Sequence, residues 1–190
     1  VLFSWPSTGR KVDYVRDLDK SQSSAFFLEE FLAELASRVE RVHVVAHSMG
    51  NRSLVGALVG MVRARKMASA LGEIVLMAPD VDRSGFENVE AQFATKAGHR
   101  TSLYVSDRDC ALKVSKAIRD EVRLGDAADG VPVVLGVETI DASDLAAEDG
   151  HYAVGSSAVG LRDLSLLLAG AEPPRDALEE GPGYWVFADP

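Results

Sequence analysis

Short apolar runs alternate along this chain with segments of helical period. Val1 to Trp5 is apolar and strand-like, and it stops at Pro6-Ser7-Thr8-Gly9, strong turn chemistry. Polar residues follow to Ser24, with Tyr14 and Asp17 among them. A helix is predicted over Ala25 to Val39, capped by Ser23 or Ser24, with Phe27, Leu28, Phe31, Leu32 and Leu35 on one face and Glu29, Glu30 and Glu34 on the other. Val42 to His47 reads as a β-branched strand and Ser48 to Asn51 as a tight turn. Leu54, Val55, Leu58, Val59 and Val62 then repeat at helical spacing, with Arg63, Arg65 and Lys66 placed to complement the helix dipole.

The alternation continues. Glu73 to Ala78 is an apolar strand ended by Pro79-Asp80, and Phe86 to Lys96 is a helix over the sheet. Thr101 to Ser106 is a strand, and Cys110 to Arg123 a helix with Ala111, Leu112, Val114, Ser115 and Ile118 inward. Val133 to Ile140 is a strand, followed by a polar loop carrying Asp141, Asp149 and His151 and a last helix from Ala158 to Leu168. This order argues for an α/β fold, a mostly parallel sheet flanked by helices. The organised domain spans residues 1–170, and residues 171–190, rich in Pro, Gly and acid, form a loop or packed arm pinned by Tyr184, Trp185 and Phe187.

Composition narrows the function classes. The 190 residues are 47% hydrophobic and 26% charged, which is globular and not disordered composition. No apolar run reaches the roughly 18 residues of a membrane span. Twenty Lys and Arg stand against 29 Asp and Glu, a net charge of −9, which disfavours nucleic acid as a partner. Cys110 is the lone cysteine, so no intrachain disulfide and no cysteine-based zinc pattern exists. No phosphate-binding glycine loop is present, and no cofactor is expected.

The chemistry concentrates at Val45-Ala46-His47-Ser48-Met49-Gly50-Asn51. A strand ends, Ser48 occupies the tip of the turn, and a helix begins. Ala46 and Gly50 are small where strand and helix approach, as a strained nucleophile elbow demands. Such a turn lifts the hydroxyl into a cleft at a helix N-terminus, where the Met49 N–H can face an oxyanion. The plainer alternative is a serine N-cap at an ordinary strand-to-helix junction.

A nucleophilic serine needs a base and the base an orienting acid, and the elbow architecture expects the chain order Ser, acid, His. His43 and His47 precede Ser48 and read as packing or polar-shell residues; His99 precedes its strand, at the wrong end of the sheet. His151 has the right order and the right end. For the acid, Asp109 is favoured, just past the strand Thr101 to Ser106; Asp107, Asp80 and Asp82 are rivals. Asp141 is placed to order the His151 loop. Trp5, Tyr14, Met49, Phe86 and Tyr152 could line an acyl pocket, although aromatics at such positions are more often core.

With these residues in place, the chain resembles the α/β-hydrolase superfamily, and within it a bacterial esterase/lipase-like family of unknown function, DUF900. The resemblance is carried by Phe3-Ser4-Trp5-Pro6-Ser7, Ala46-His47-Ser48-Met49-Gly50-Asn51-Arg52, Ala78-Pro79-Asp80-Val81-Asp82, Tyr104-Val105-Ser106 with Asp109, and Gly150-His151. It implies acyl transfer from a small-molecule carboxylic ester through Ser48, Asp109 and His151. It further implies that the chain lacks its first strands, since members carry a strand ending in His-Gly ahead of the Ser-Trp-Pro-Ser segment. That loop would supply a second oxyanion donor, which leaves Met49 as the donor in this chain. A catalytically silent binding module and an amidase or peptidase with the same triad are the alternatives.

Overall fold

A computed structural model describes residues 1–10, 13–65, 71–145 and 150–188. Lys66 and Asp149, singled out above, lie outside the described residues. The sheet has six strands: β1 (Val42–His47), β2 (Leu71–Met77), β3 (Arg100–Val105), β4 (Val137–Asp141), β5 (Leu178–Glu180) and β6 (Trp185–Phe187). Its order is β1-β2-β3-β4-β6-β5. The first four strands and β6 run parallel, and β5 pairs antiparallel with β6. The fold is therefore α/β, a mostly parallel sheet flanked by helices.

The helices are α1 (Tyr14–Ser23), α2 (Ala25–Ala36), α3 (Gly50–Arg63), α4 (Arg83–Gly85), α5 (Ala91–Ala97), α6 (Cys110–Arg119), α7 (Ala153–Ser156) and α8 (Ala158–Leu168), with one π-helical turn at Phe86–Glu90. Strand alternation sorts the core into two faces. Ile74, Leu76, Leu103 and Val105 pack with α2, α3 and α5, through Leu28, Leu32, Leu54, Leu58 and Ala94. Val75, Met77, Tyr104 and Ile140 point the other way, onto Val154 of α7 and Leu167 of α8. The continuous burial of β2 follows from its central position, covered on both faces.

Several predicted elements are corrected. Val1 to Trp5 is not a strand: residues 1–10 have no regular structure, and Val1 and Leu2 are exposed. A strand requires a partner ladder, and this segment has none among the described residues; Phe3 instead packs on Phe31. The polar stretch before Ser24 contains α1, whose buried face is Asp17, Leu18 and Ser21. The predicted helix from Phe86 is preceded by the short α4, capped by the Asp82 carboxylate, which accepts the Gly85 N–H. Helix α6 ends at Arg119 because Asp120 turns left-handed, with φ of 54°. Only Leu112 and Ser115 of α6 are buried, and Val114 and Ile118 face outward. Strand β4 begins at Val137, after the left-handed Gly136.

The segment read as an arm carries β5 and β6. Trp185 and Val186 pair with Ile140 and Asp141. Its approach is fixed by Arg175, which is buried and bonds Asp163 at 2.6 Å and Glu138 at 2.6 Å. Tyr104 donates to the same Asp163. At the opposite margin, β1 pairs among the described residues with β2 alone.

Candidate active site

The carboxyl ends of β1, β2, β3 and β4 lie in order, and the candidate residues come after them: Ser48 after β1, Asp80 and Asp82 after β2, Asp107 and Asp109 after β3, and His151 after β4. Ser48 comes one residue after β1 and adopts φ of 52°, a left-handed conformation unusual for a residue with a side chain. Four hydrogen bonds hold it there. The Ser48 N–H donates to Met77 O at 3.0 Å, and Ser48 O accepts from the N–H groups of Asn51 (3.1 Å) and Asp80 (3.2 Å) and from Asn51 Nδ2 (3.0 Å). Asn51 is fully buried, and its Nδ2 also reaches Met77 O at 3.1 Å. Helix α3 starts immediately after, so Met49 sits at its N-cap. The steric demand expected at Gly50 is not met here: a Cβ built on Gly50 has open space around it.

Asp109 lies in the turn between β3 and α6 and is fully buried. Its two oxygens have separate partners. Oδ1 accepts the Leu112 N–H at 2.9 Å and caps α6. Oδ2 stands 2.7 Å from His151 Nδ1, whose side chain is 10% exposed. Asp109 therefore combines a helix-capping role with the histidine-partner role. The loop before His151 touches the same turn: Gly150 has φ of 72°, and a Cβ there would lie 2.5 Å from Arg108 O.

The rival acids are engaged elsewhere. Asp80 is buried and accepts from Tyr14 Oη (2.7 Å) and Ser115 Oγ (2.6 Å), with Arg123 Nη1 at 3.9 Å. Burial, together with the Asp80 hydrogen bond and charge, pushes the Tyr14 hydroxyl up to about 12 against the weaker pull of Ser115 and Arg123. Asp82 caps α4 and faces Arg123. Asp107 is exposed beside Arg108. Asp141 bonds Ser143, whose Oγ in turn accepts the Asp107 N–H at 2.9 Å, so Asp141 orders the turn carrying Asp109 and not, among the described residues, the His151 loop.

Of the other histidines, His43 is exposed and its Nδ1 accepts the Glu73 N–H at 3.0 Å. His99 is at the far end of the sheet, 3.7 Å from Glu73. His47 is a packing and polar-shell residue as its place in the sequence suggested, and the partner it packs against is His151. Its ring centroid is 4.6 Å from that of His151, and its Nε2 is 2.9 Å from His151 O. The structure thus joins Asp109 to His151 directly, and His47, the residue before Ser48, touches His151; among the described residues there is no Ser48–His151 hydrogen bond. Asn51 could have been found from the sequence as a polar residue on the inward face of α3, three positions after Ser48.

A groove of about 770 Å³ runs along the open side of β1 to the elbow, lined by Phe3, Trp5, Phe31, Val44, Ser48 and Met49 among others. Of the residues suggested for an acyl pocket, Trp5 and Met49 line this groove. Tyr14 is tied to Asp80, Phe86 is core, and Tyr152 stacks on His47. No group of three His, Cys, Asp or Glu among the described residues is disposed to hold a metal ion. No helix among them is long and apolar enough to cross a membrane.

A family model described as an alpha/beta hydrolase of unknown function (DUF900) matches residues 1–151. No curated protein and no solved structure matches the chain.

Proposed function

The chain belongs to the DUF900 family of alpha/beta hydrolases, and on that premise we propose that it is a serine hydrolase of carboxylic esters. Ser48 is the nucleophile, His151 the general base and Asp109 the orienting acid. The observation that carries the reading is the buried Asp109–His151 pair at 2.7 Å, together with a serine in the left-handed elbow conformation at the end of β1. A structural serine N-cap has no need of that strained backbone, and a loop histidine has no need of a buried carboxylate.

In the proposed mechanism His151 Nδ1–H donates to Asp109 Oδ2, which leaves Nε2 unprotonated and basic. His151 Nε2 takes the Ser48 proton as Oγ attacks the ester carbonyl carbon, and the carbonyl electron pair moves to oxygen. The Met49 N–H donates to that oxyanion. The tetrahedral species collapses, His151 returns the proton to the leaving alkoxide, and an acyl-Ser48 remains. Water then repeats the sequence: His151 takes its proton, hydroxide adds to the acyl carbon, and the acid departs as Ser48 regains its proton. The mechanism requires a Ser48–His151 hydrogen bond to form when substrate engages, since catalytic hydrogen bonds are commonly completed only in the substrate complex. The groove beside Ser48 offers the acyl group an apolar wall.

The test is labelling by a fluorophosphonate probe with peptide mapping. Labelling at Ser48 that is lost in Ser48→Ala and His151→Ala supports the reading, and an ester and amide panel then separates esterase from amidase or peptidase. The absence of a Ser48–His151 hydrogen bond among the described residues favours a second reading, a catalytically silent binding module. Failure to label Ser48 in the folded chain would select it.

A further inference from the structure

We propose that His47 is a positioning residue that fixes the general base His151 relative to the nucleophile. The proposal rests on the serine hydrolase reading and adds to it a residue outside the triad. His47 is the last residue of β1, adjoining Ser48. Its Nε2 lies 2.9 Å from the His151 carbonyl oxygen. A carbonyl only accepts, so Nε2 carries the proton and donates. The His47 ring also stacks on Tyr152, at 4.6 Å and 18°, and meets His151 edge-on at 4.6 Å and 63°. The Tyr152 ring stands 5.3 Å from that of His151, so the three rings form one cluster.

Two elements therefore hold His151 by different atoms. Asp109, from the turn after β3, holds the imidazole at Nδ1. His47, from β1, holds the backbone at the carbonyl. Gly150 makes this possible, because its left-handed turn lets the loop lie against Arg108 O, where a Cβ would be 2.5 Å away. The base is thereby referenced to the strand that ends in the nucleophile. Rate depends steeply on such placement, since a 1 Å displacement of a reacting group costs about a hundredfold.

Two substitutions separate the donor from the ring. His47→Phe keeps the aromatic stack on Tyr152 and removes the donor; His47→Gln keeps an N–H donor and removes the stack. One hydrogen bond of this kind is worth roughly twofold to tenfold. The expected result is that His47→Phe lowers both kcat and the fluorophosphonate labelling rate of Ser48 by about that factor or more, with KM little changed, and that His47→Gln restores most of the loss. The low-field proton resonance of His151 Nδ1–H is read in the same variants and needs no turnover. It should broaden through faster solvent exchange in His47→Phe and stay sharp in His47→Gln. Equal rates and unchanged resonances in both variants overturn the proposal, as does an equal loss in both that follows a fall in thermal stability. If wild-type Ser48 does not label, the hydrolase reading fails and the resonance alone still decides whether His47 holds His151.

Discussion

Asp109→Asn separates the two functions of one carboxylate. The amide oxygen can still accept the Leu112 N–H in place of Oδ1, now at 2.9 Å, so the cap of α6 survives. The other side now presents an NH₂ donor to His151 Nδ1, where Oδ2 accepted at 2.7 Å. Two donors cannot share that contact, so the imidazole proton moves to Nε2 and the base is lost. In the serine-protease template the corresponding change lowers kcat by about 10⁴, and a loss of that order is expected here. Stability should change little. A charge-assisted hydrogen bond worth about 1.5–3 kcal/mol becomes a neutral one, while the desolvation of a fully buried carboxylate is relieved. The net is within about 1 kcal/mol, or about 2–4 °C in Tm at this chain length. Asp109→Ala removes the cap as well and should cost about 0.5–2 kcal/mol more.

Labelling kinetics at Ser48 and thermal melts on the same samples check both halves. The reasoning is refuted if Asp109→Asn labels within tenfold of wild type while Asp107→Asn, Asp80→Asn or Asp82→Asn abolishes labelling. It is also refuted if Asp109→Asn and Asp109→Ala melt alike, since the cap would then contribute nothing.

Gly150→Ala should lower the labelling rate more than tenfold and cost at least about 1–2 kcal/mol, because φ of 72° and the 2.5 Å approach to Arg108 O both exclude a side chain; melts and labelling read the two effects, and wild-type labelling would show that the loop is not held there. Ser48→Gly should be inactive yet more stable than Ser48→Ala by about 1 kcal/mol, since glycine relieves the left-handed strain at φ of 52° and alanine does not; equal denaturation midpoints would remove the strain argument. Asp17 gives a pH dependence. Burial raises its carboxyl, but the hydrogen bonds from Ser7 and Thr8 and the charge of Lys20 outweigh that and bring it to about 2 from 3.8. A depressed carboxyl stabilises the fold above its unfolded pKa, so this contribution is present above pH 3.8 and lost as pH falls toward about 2. Melts of wild type and Asp17→Asn should converge across that window, and parallel curves would contradict the assignment.

The strand-to-helix turn at Ser48 was legible because its signals are local: a β-branched run, small residues about Ser48, then a helical period. Asp109 and His151 were legible from chain order and from the strand end each follows. What escaped depends on contacts across the fold. Helix α1 was hidden because its inward face is polar, with Asp17 bonding Ser7 and Thr8 and Ser53 donating to Ser21 O. Val1 to Trp5 has strand composition, but composition cannot supply a neighbouring strand. The outward Val114 and Ile118 mislead because α6 presents only Leu112 and Ser115 to the core. His47 read as a packing or polar-shell residue because it precedes Ser48 in the chain, and chain order says nothing about which segment packs against it.

Strain in this chain lies where the chemistry is proposed. Ser48 and Ala78 each follow directly on one of two adjacent parallel strands, and both take positive φ, 52° and 42°. Each such residue costs about 1–3 kcal/mol and persists only where its surroundings over-determine it. Here the determinants are shared. The Ser48 N–H and Asn51 Nδ2 both use Met77 O, and the Asp80 N–H returns to Ser48 O. Ala78 N–H is held by Tyr104 O, and Gly125 packs so closely that a Cβ on it would lie 2.7 Å from Pro79 N. The two turns thus brace each other, and Asn51 is the side chain that joins them. Removing that amide takes one donor from each of two carbonyls that keep their backbone partners, and costs two hydrogen bonds at about 0.5–1.5 kcal/mol each. The elbow is therefore a property of both strand ends, and the position of the Ser48 hydroxyl depends on residues that never approach a substrate.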